Sequence, residues 1–372
     1  MIARREFVAA GLATLAACRR RKAAGFPGYA FVANEEGHAV AAVDLTAFAV
    51  VRHIRLDSSP TAVLAHPKRD SVYVLTPSTG CVHEIEASRL LWKRKVQVAS
   101  DAVSMRLSPD TNGSSLWVLS REPRQLARVS LDRFQVSARV RLPAEPGDFD
   151  LSPAAPQAVV SHAGEGALSL VDLAGLRVKT PPPLGESISL VRYRPDGKLL
   201  LAGEPSTRTL AVADPTDGAL VVRLPLAVRP DQFCFGGGGG QLFITGEGMD
   251  AVVVVYLYRT EVAETVLAGH RPGAMAASEH PAFLFVANPD SGDVTILDIH
   301  TRRAIARASV GEEPGTIVIT PDNQYALVLN RRSGDMAVIR VATVTAKRTR
   351  SAQLFTVIPV GSKPVSAAVR LL

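Results

Sequence analysis

Residues 285 to 322 have the sequence FVANPDSGDVTILDIHTRRAIARASVGEEPGTIVITPD, and its pattern returns throughout the chain. The stretch contains an apolar strand, a polar turn, a second strand, a third strand, a Gly-x-x-Pro step and a fourth strand that ends in a Pro-Asp turn. Segments equivalent to its opening FVAN occur eight times: FVAN (31 to 34), YVLT (73 to 76), WVLS (117 to 120), VVSH (159 to 162), LAGE (201 to 204), FITG (243 to 246), FVAN (285 to 288) and LVLN (327 to 330). The last residues of these segments are spaced by 42, 44, 42, 42, 42, 42 and 42 positions.

This fixed spacing predicts a repeat fold in which each unit is one small structural element. Short alternating strands are separated by Gly, Pro, Asn and Asp turns, and no helical periodicity of about ten residues or more follows residue 18. The pattern therefore predicts an all-β chain with four strands per repeat and no helix longer than two turns after residue 28. Four-stranded units of this length are typical of the blades of a β-propeller.

Eight segments are candidates for the innermost strand of a blade, because each follows the Gly-x-x-Pro step. They are residues 60 to 66, 102 to 108, 146 to 152, 188 to 194, 230 to 236, 272 to 278, 314 to 320 and 364 to 370. The repeats begin with a second strand near Tyr29 and end with an inner strand, so we expect one blade to combine the N-terminal and C-terminal strands. This pairing would close an eight-bladed ring without leaving an open strand edge.

The unit at 285 to 322 resembles the YVTN family of β-propellers, with FVAN for the family's Tyr-Val-Thr-Asn strand and TILD for its Val-Ile-Asp strand. The resemblance covers residues 29 to 372 and implies a propeller, for which seven blades is the alternative because that number is commoner in the family. Four units depart from the family pattern at the Asn position, where this chain has Ser120, His162, Glu204 and Gly246.

The N-terminus has the pattern of an export signal. A basic start, with Arg4 and Arg5, precedes an apolar run that is too short to span a bilayer. The run ends in Leu15-Ala16-Ala17-Cys18, which resembles a bacterial lipobox, and the paired arginines resemble a twin-arginine signal. We therefore predict a signal peptide at 1–17, a lipidated basic linker at 18–28 that begins with Cys18, and a propeller domain at 29–372.

Four basic residues follow Cys18 directly, and they favour twin-arginine export over the general secretory route, which stays the alternative. The predicted location is extracytoplasmic and membrane-anchored, in the periplasm or at the surface of a bacterium. The formal net charge of +7 is small for 372 residues and forms no block beyond the N-terminus, so no nucleic-acid partner is expected.

The inner-strand segments differ most at two positions that share one side of the strand. The fifth position carries Arg106, Asp150 and Arg192 in three consecutive units, and the third position adds Asp148 and Gln232. One interpretation is that these five residues line a ligand site at the mouth of the central channel. The other is that Arg106, Asp150 and Arg192 form an ion-pair ladder between blades and bind nothing.

No catalytic constellation appears in the sequence. Cys81 and Cys234 lie in different units, so a disulfide is not expected, and no histidine pair has metal-ligand spacing. We therefore predict no cofactor and no metal, and favour a monomeric, non-catalytic binding or scaffolding module that presents one loop face to a protein or glycan.

The family resemblance implies two further functions. One is a lactonase-like hydrolase that acts on an anionic sugar lactone, with Arg106, Asp148, Asp150 and Arg192 around the substrate. The other is a haem-binding redox propeller, for which His270 is a remote candidate for the axial ligand.

Overall fold

The computed structural model describes residues 25–110, 113–344 and 354–372, and in these ranges 32 strands form eight antiparallel four-stranded sheets. Blades 1 to 4 comprise β4 (Ala62–Ala65), β5 (Ser71–Thr76), β6 (Cys81–Glu86), β7 (Leu91–Gln97); β8 (Asp101–Leu107), β9 (Ser115–Glu122), β10 (Gln125–Ser130), β11 (Gln135–Arg141); β12 (Pro146–Leu151), β13 (Gln157–His162), β14 (Leu168–Asp172), β15 (Arg177–Lys179); and β16 (Leu190–Tyr193), β17 (Leu200–Glu204), β18 (Thr209–Ala213), β19 (Leu220–Pro225).

Blades 5 to 8 comprise β20 (Arg229–Phe235), β21 (Gln241–Glu247), β22 (Ala251–Tyr256), β23 (Glu261–Leu267); β24 (Met275–Ala277), β25 (Phe283–Asn288), β26 (Asp293–Asp298), β27 (Arg303–Ser309); β28 (Pro314–Ile319), β29 (Tyr325–Asn330), β30 (Asp335–Arg340), β31 (Leu354–Pro359); and β32 (Pro364–Leu371), β1 (Gly28–Asn34), β2 (Ala39–Asp44), β3 (Ala49–Arg55). The only helical elements in the described ranges are two 3₁₀ turns, Pro77–Thr79 and Val341–Thr343.

The predicted all-β propeller with eight blades is therefore confirmed, and the alternative of seven blades is wrong. Each of the eight predicted inner segments overlaps the innermost strand of one sheet. The signal peptide at 1–17 and Cys18 lie outside the described residues.

Blade 8 closes the ring, because β32 pairs antiparallel with β1. Phe31 lies opposite Ala368 and Val32 opposite Ala367, so the two strands are paired through their middle residues. β32 in turn neighbours the inner strands of blades 1 and 7. The predicted pairing of the N-terminal and C-terminal strands is confirmed.

Burial explains why the second strands have nearly continuous apolar sequences. β5, β25 and β29 are buried at every residue, because each blade packs against a neighbouring blade on both of its faces. The outermost strands are exposed at most positions, and they carry most of the polar and charged side chains of the rim.

Two faces of the disc follow from the strand order. The upper face carries the turns after the second strands and the loops that enter the inner strands. The lower face carries the turns after the inner strands and the hairpins between the third and outer strands. On the lower face, Asp214 accepts hydrogen bonds from the N–H and hydroxyl of Thr216, which hold the pKa of Asp214 below its ordinary value. The repeated carboxylate at this position thus caps a turn.

Within the described ranges, no helix is long and apolar enough to cross a membrane.

Candidate functional site

Two aspartates of β12 bind the open edge of the neighbouring inner strand. β16 has β17 as its one partner in the sheet, so its backbone N–H groups on the channel side lack a strand to pair with. Asp148 accepts the N–H of Val191 at 3.2 Å, and Asp150 accepts the N–H of Tyr193 at 2.9 Å. The two carboxylates therefore replace part of a missing strand between blades 3 and 4.

Arg106 joins blade 2 to blade 3 in the same arc. Its Nε donates to the carbonyl oxygen of Phe149 at 2.7 Å and lies 3.4 Å from Oδ1 of Asp150. Its Nη2 lies 3.8 Å from Oδ1 of Asp148, so one guanidinium interacts with both carboxylates of the adjacent strand. The guanidinium also lies 5.5 Å from the ring centre of buried Phe149.

Arg192 differs from the predicted ladder, because it binds Asp148 and not Asp150. Its Nη1 donates to Oδ2 of Asp148 and to the backbone carbonyl oxygen of the preceding residue, Val191. The physical reason is position: Oδ2 of Asp148 accepts both the Val191 N–H and Nη1 of Arg192, so the guanidinium lies beside Asp148, whereas Oδ2 of Asp150 accepts the Tyr193 N–H. Asp148, which interacts with both arginines, is therefore the shared carboxylate of the arc.

Gln232 lies outside this arrangement. It is exposed on β20, and its amide donates to Asp231 at 3.2 Å. The structure thus brings together four of the five residues that the sequence analysis singled out, and their ligand-binding role stays a prediction.

The charges of the arc oppose one another in a partly desolvated setting. Desolvation raises the pKa of Asp150, although Arg106 and the Tyr193 N–H act in the opposite direction. Desolvation and the nearby charge of Arg192 lower the pKa of Arg106. Two guanidinium groups and two carboxylates cancel in formal charge, so the arc as a whole offers little net attraction to a small anion.

Neutralising Asp148 should destabilise the fold more than neutralising Asp150. Asp148→Asn leaves Arg192 without its carboxylate and is expected to lower the free energy of unfolding by about 2 kcal/mol. Asp150→Asn keeps an acceptor for Tyr193 and removes a charge that is costly to desolvate, so its effect should stay within about 1 kcal/mol. Urea unfolding of both variants measures the difference.

The pH dependence adds a second test of the same pair. The pKa of Asp150 in the folded protein lies above the ordinary value of 3.8, so the folded state favours the protonated carboxyl group. As the pH rises from 3.8 through the folded pKa, the free energy of unfolding of the wild-type protein should therefore fall relative to that of Asp150→Asn. Equal destabilisation by the two variants would contradict the assignment of Asp148 as the shared carboxylate.

A second cluster, which the sequence analysis did not find, lies at the Asn position of the repeat. Asn34 donates to the carbonyl of Val360 at 2.8 Å, and Asn330 donates to the carbonyl of Val310 at 3.1 Å. In both blades the amide therefore holds the loop that enters the inner strand. One feature of the sequence could have revealed this cluster: Glu204 places a carboxylate at the Asn position of the repeat, which is buried.

Glu204 performs this anchoring role in blade 4 and adds an ion pair. Its side chain is fully buried and accepts the N–H of Glu186 at 2.6 Å and the hydroxyl of Thr209 at 3.1 Å. Arg223 of the outer strand donates to Glu204 and to the carbonyl of Leu184. The whole cluster fixes the long loop between blades 3 and 4.

Charged side chains on the upper face occupy backbone positions that favour glycine. Blades 1, 6 and 7 have Gly80, Gly292 and Gly334 at the last position of the upper turn, with φ between 58° and 70°. Blade 4 has Arg208 there, with φ of 54°. Three loops that enter inner strands show the same left-handed conformation: Arg271, Glu313 and Lys363, with φ of 52°, 55° and 54°.

The surroundings of the histidines bear on the metal and haem predictions. In residues 25–110, 113–344 and 354–372, no group of three or more His, Cys, Asp or Glu side chains could hold a metal ion. His66, His83 and His162 are buried inside blades and have hydrogen-bond partners. His270, the candidate axial ligand, is 77% exposed and pairs with Asp250 at 2.8 Å, so its position does not fit a haem enclosed in the channel.

No protein-family model matches the sequence, and no curated protein matches it. Solved structures match the fold. Dihydro-heme d1 dehydrogenase NirN in complex with DHE has a TM-score of 0.76 and 15% identity, over 92% of this chain and 75% of that chain. Apo AztD from Citrobacter koseri has a TM-score of 0.69 and 13% identity, over 92% of this chain and 98% of that chain.

Hydrazine synthase from Kuenenia stuttgartiensis matches with a TM-score of 0.58 and 20% identity, over 72% of this chain and 91% of that chain. At these identities the likeness concerns the fold alone. The strand order and the comparisons together define the chain as an eight-bladed β-propeller.

Proposed function

We propose that this chain is an extracytoplasmic, lipid-anchored propeller of the YVTN type that acts as a non-catalytic binding module. Its upper face holds a protein or glycan partner. The observation that carries the proposal is the set of charged side chains at left-handed turn positions: Arg208, Arg271, Glu313 and Lys363.

The left-handed region has an energetic cost for every residue other than glycine. A residue with a Cβ atom is less stable there than glycine by about 1 kcal/mol, and blades 1, 6 and 7 have glycine at such a turn position. Arg208 and Arg271 are exposed and Glu313 is half-buried, and the ion pair of Lys363 with Glu35 at 3.0 Å is partly exposed and contributes little stability. A charged side chain at a backbone position where it lowers stability supports a role of that side chain in contact with a partner.

The upper face carries both signs of charge around the ring, which suits a partner with mixed polar groups. Arg121 lies 3.5 Å from Glu145, and Arg271 lies 3.3 Å from Asp290. Such a surface favours a protein or a polar glycan over a uniform polyanion. We propose that the module is monomeric.

Arg208→Gly is expected to raise the free energy of unfolding by about 1 kcal/mol, because it relieves the left-handed strain without breaking an ion pair. Arg332→Gly is the matched control, since Arg332 is an exposed arginine on the same face with an ordinary φ, and it should give no gain. Thermal melts of the two variants compare them. A gain of the same size from Arg332→Gly would remove the strain argument.

The binding role is tested with photo-crosslinkers placed in the living cell. A crosslinker at Arg332 on the upper face should capture a specific partner, whereas one at Thr260 on the lower face should not. The combined variant Arg208→Gly, Arg271→Gly, Glu313→Gly and Lys363→Gly should lose this capture. Leu176→Gly with Thr260→Gly changes left-handed positions on the lower face and should keep it. Capture that is unaffected by the upper-face variant would refute the proposal.

The membrane anchor is tested by fractionation. The chain should fractionate with membranes and become soluble when Cys18→Ala is introduced, because Cys18 would carry the lipid. Replacing both Arg4 and Arg5 by Lys should block export if the route is the twin-arginine one. Normal export of the double variant would remove that route and leave the lipid anchor.

The two alternatives have less support from the geometry. A lactonase would need a free carboxylate as base, but the oxygens of Asp150 face Arg106 and the Tyr193 N–H. A haem site would need an enclosed axial histidine, and His270 is exposed.

A further inference from the structure

The outer strands of four neighbouring blades form a basic rim. We use this name for β3, β7, β11 and β15, which lie on blades 8, 1, 2 and 3. They contain nine Lys and Arg residues and no Asp or Glu: Arg52, Arg55, Lys93, Arg94, Lys95, Arg139, Arg141, Arg177 and Lys179. By contrast, β23 on blade 5 carries Glu261 and Glu264 without a basic residue.

Lys179 donates to the carbonyl oxygen of Thr216, and four of the other cations have no ion-pair partner among the described residues. Arg52, Arg55, Arg139 and Arg141 are exposed, and each lies on a strand edge that no other strand covers. The neighbouring cations of β7 are paired, for example Arg94 with buried Glu84. The unpaired four are therefore available to an external anion.

Apolar side chains are exposed between these cations. The side chain of Val51 on β3 is 49% exposed and that of Trp92 on β7 is 45% exposed. The indole N–H of Trp92 donates to His83 at 3.2 Å, so the ring is held at the surface. Basic residues interleaved with an exposed Trp are typical of surfaces that lie in the headgroup region of a bilayer.

The chain enters the propeller next to this rim. Gly25 lies against the backbone of Leu45 and Thr46, in the hairpin that leads directly into β3. Six residues lie between Cys18 and Gly25, and the seven residue steps span at most about 25 Å when extended. A lipid on Cys18 would therefore hold the first strand of the basic rim close to the membrane.

The other surfaces near the tether suit an anionic membrane less well. The lower face carries a carboxylate in five of its eight hairpins: Asp44, Glu86, Asp172, Asp214 and Asp298. The upper face carries mixed charges. Among the described residues, the rim combines positive charge, exposed apolar groups and proximity to Gly25.

We propose that the basic rim rests on the anionic lipid headgroups of the membrane, so that the propeller stands on its edge. This inference rests on the lipid anchor of the proposed function and adds an orientation to it. The upper face then points along the membrane and stays open to a partner.

The test uses the full chain with Cys18→Ser, which removes the lipid, and flotation with vesicles of phosphatidylcholine with and without phosphatidylglycerol. The protein should bind the phosphatidylglycerol vesicles, and raised salt should release it. The variant Arg52→Gln, Arg55→Gln, Arg139→Gln and Arg141→Gln breaks no ion pair and should weaken binding at least about tenfold, since each basic residue near such a surface contributes appreciably.

The matched control removes the same charge elsewhere and also breaks no ion pair, with Lys198→Gln, Arg303→Gln, Arg331→Gln and Arg332→Gln. It should bind within about threefold of the unsubstituted chain if position and not net charge governs attraction. Equal weakening by both sets, or no binding of the unsubstituted chain, would overturn the proposal. Tighter binding to duplex DNA or heparin than to vesicles would also overturn it.

Vesicle binding is independent of the partner. The upper-face glycine variant should float with vesicles like the unsubstituted chain, so a failed partner experiment leaves this result intact.

Discussion

Removal of residues 364–372 should abolish cooperative folding of the whole propeller. These residues form the inner strand of blade 8, and their loss leaves one edge of β1 without a partner along its length. The deletion also exposes apolar groups of the blade 7 and blade 8 cores that pack against Ala367 and Val369. We expect loss of the sharp thermal transition in circular dichroism and association into larger species in gel filtration.

Two controls separate this effect from that of shortening the chain. Deletion of Leu372 alone should be tolerated, because its side chain is 61% exposed and lies beyond the strand. A synthetic peptide of residues 364–372, added in excess, should restore the transition of the truncated chain by filling the vacant strand position. A truncated chain that melts cooperatively as a monomer would show that closure is not required.

Replacing Glu204 by Ala should lower the free energy of unfolding by about 2–4 kcal/mol. The variant leaves the Glu186 N–H and the Thr209 hydroxyl without their acceptor and Arg223 without its carboxylate. The side chain of Arg223 is 34% exposed, so water compensates part of its charge and keeps the loss at the lower end of what a fully buried pair would cost. Urea unfolding measures the change.

Glu204→Asn is the matched variant, because asparagine occupies this position in blades 6, 7 and 8. Asparagine can bind the loop but cannot pair with Arg223, so Glu204→Asn should lower the free energy of unfolding by less than Glu204→Ala does. An equal decrease in the free energy of unfolding for the two variants would show that the hydrogen bond to the loop at Glu186 contributes nothing.

The same residue should make stability depend on pH. Burial alone would raise the pKa of Glu204, but hydrogen bonds from Glu186 and two threonines, with the charge of Arg223, hold it below the ordinary 4.5. The stabilisation is therefore fully present above pH 4.5 and is lost as the pH falls through the folded pKa. Glu204→Asn should lack this part of the acid sensitivity.

The fold could be predicted from the sequence because the pattern repeats. Each blade buries its second strand on both faces, so segments such as FVAN at 285 to 288 remain apolar and mark every unit at nearly equal spacing. The segment 364 to 370 has the pattern of an inner strand and the unit at Tyr29 lacks one, so pairing the two completes a blade.

The interactions between blades could not be predicted in the same way. The sequence placed Arg106, Asp148, Asp150 and Arg192 on adjacent strands, but the offset between those strands decides which carboxylate meets Arg192. That offset depends on the packing of whole blades. The cations of the basic rim are about one repeat apart in the sequence, so they form no charged block until the ring brings them together.

The order of synthesis gives the ring closure a further consequence. β1 is made long before β32, and hundreds of residues separate these two paired strands of one sheet. Blade 8 cannot be completed until residue 371 has left the ribosome, and contacts this distant in sequence form slowly. During that interval the free edge of β1 can pair with the same edge of another nascent molecule. The yield of folded protein should therefore depend on how crowded the nascent chains are, with closure and association competing for the same strand.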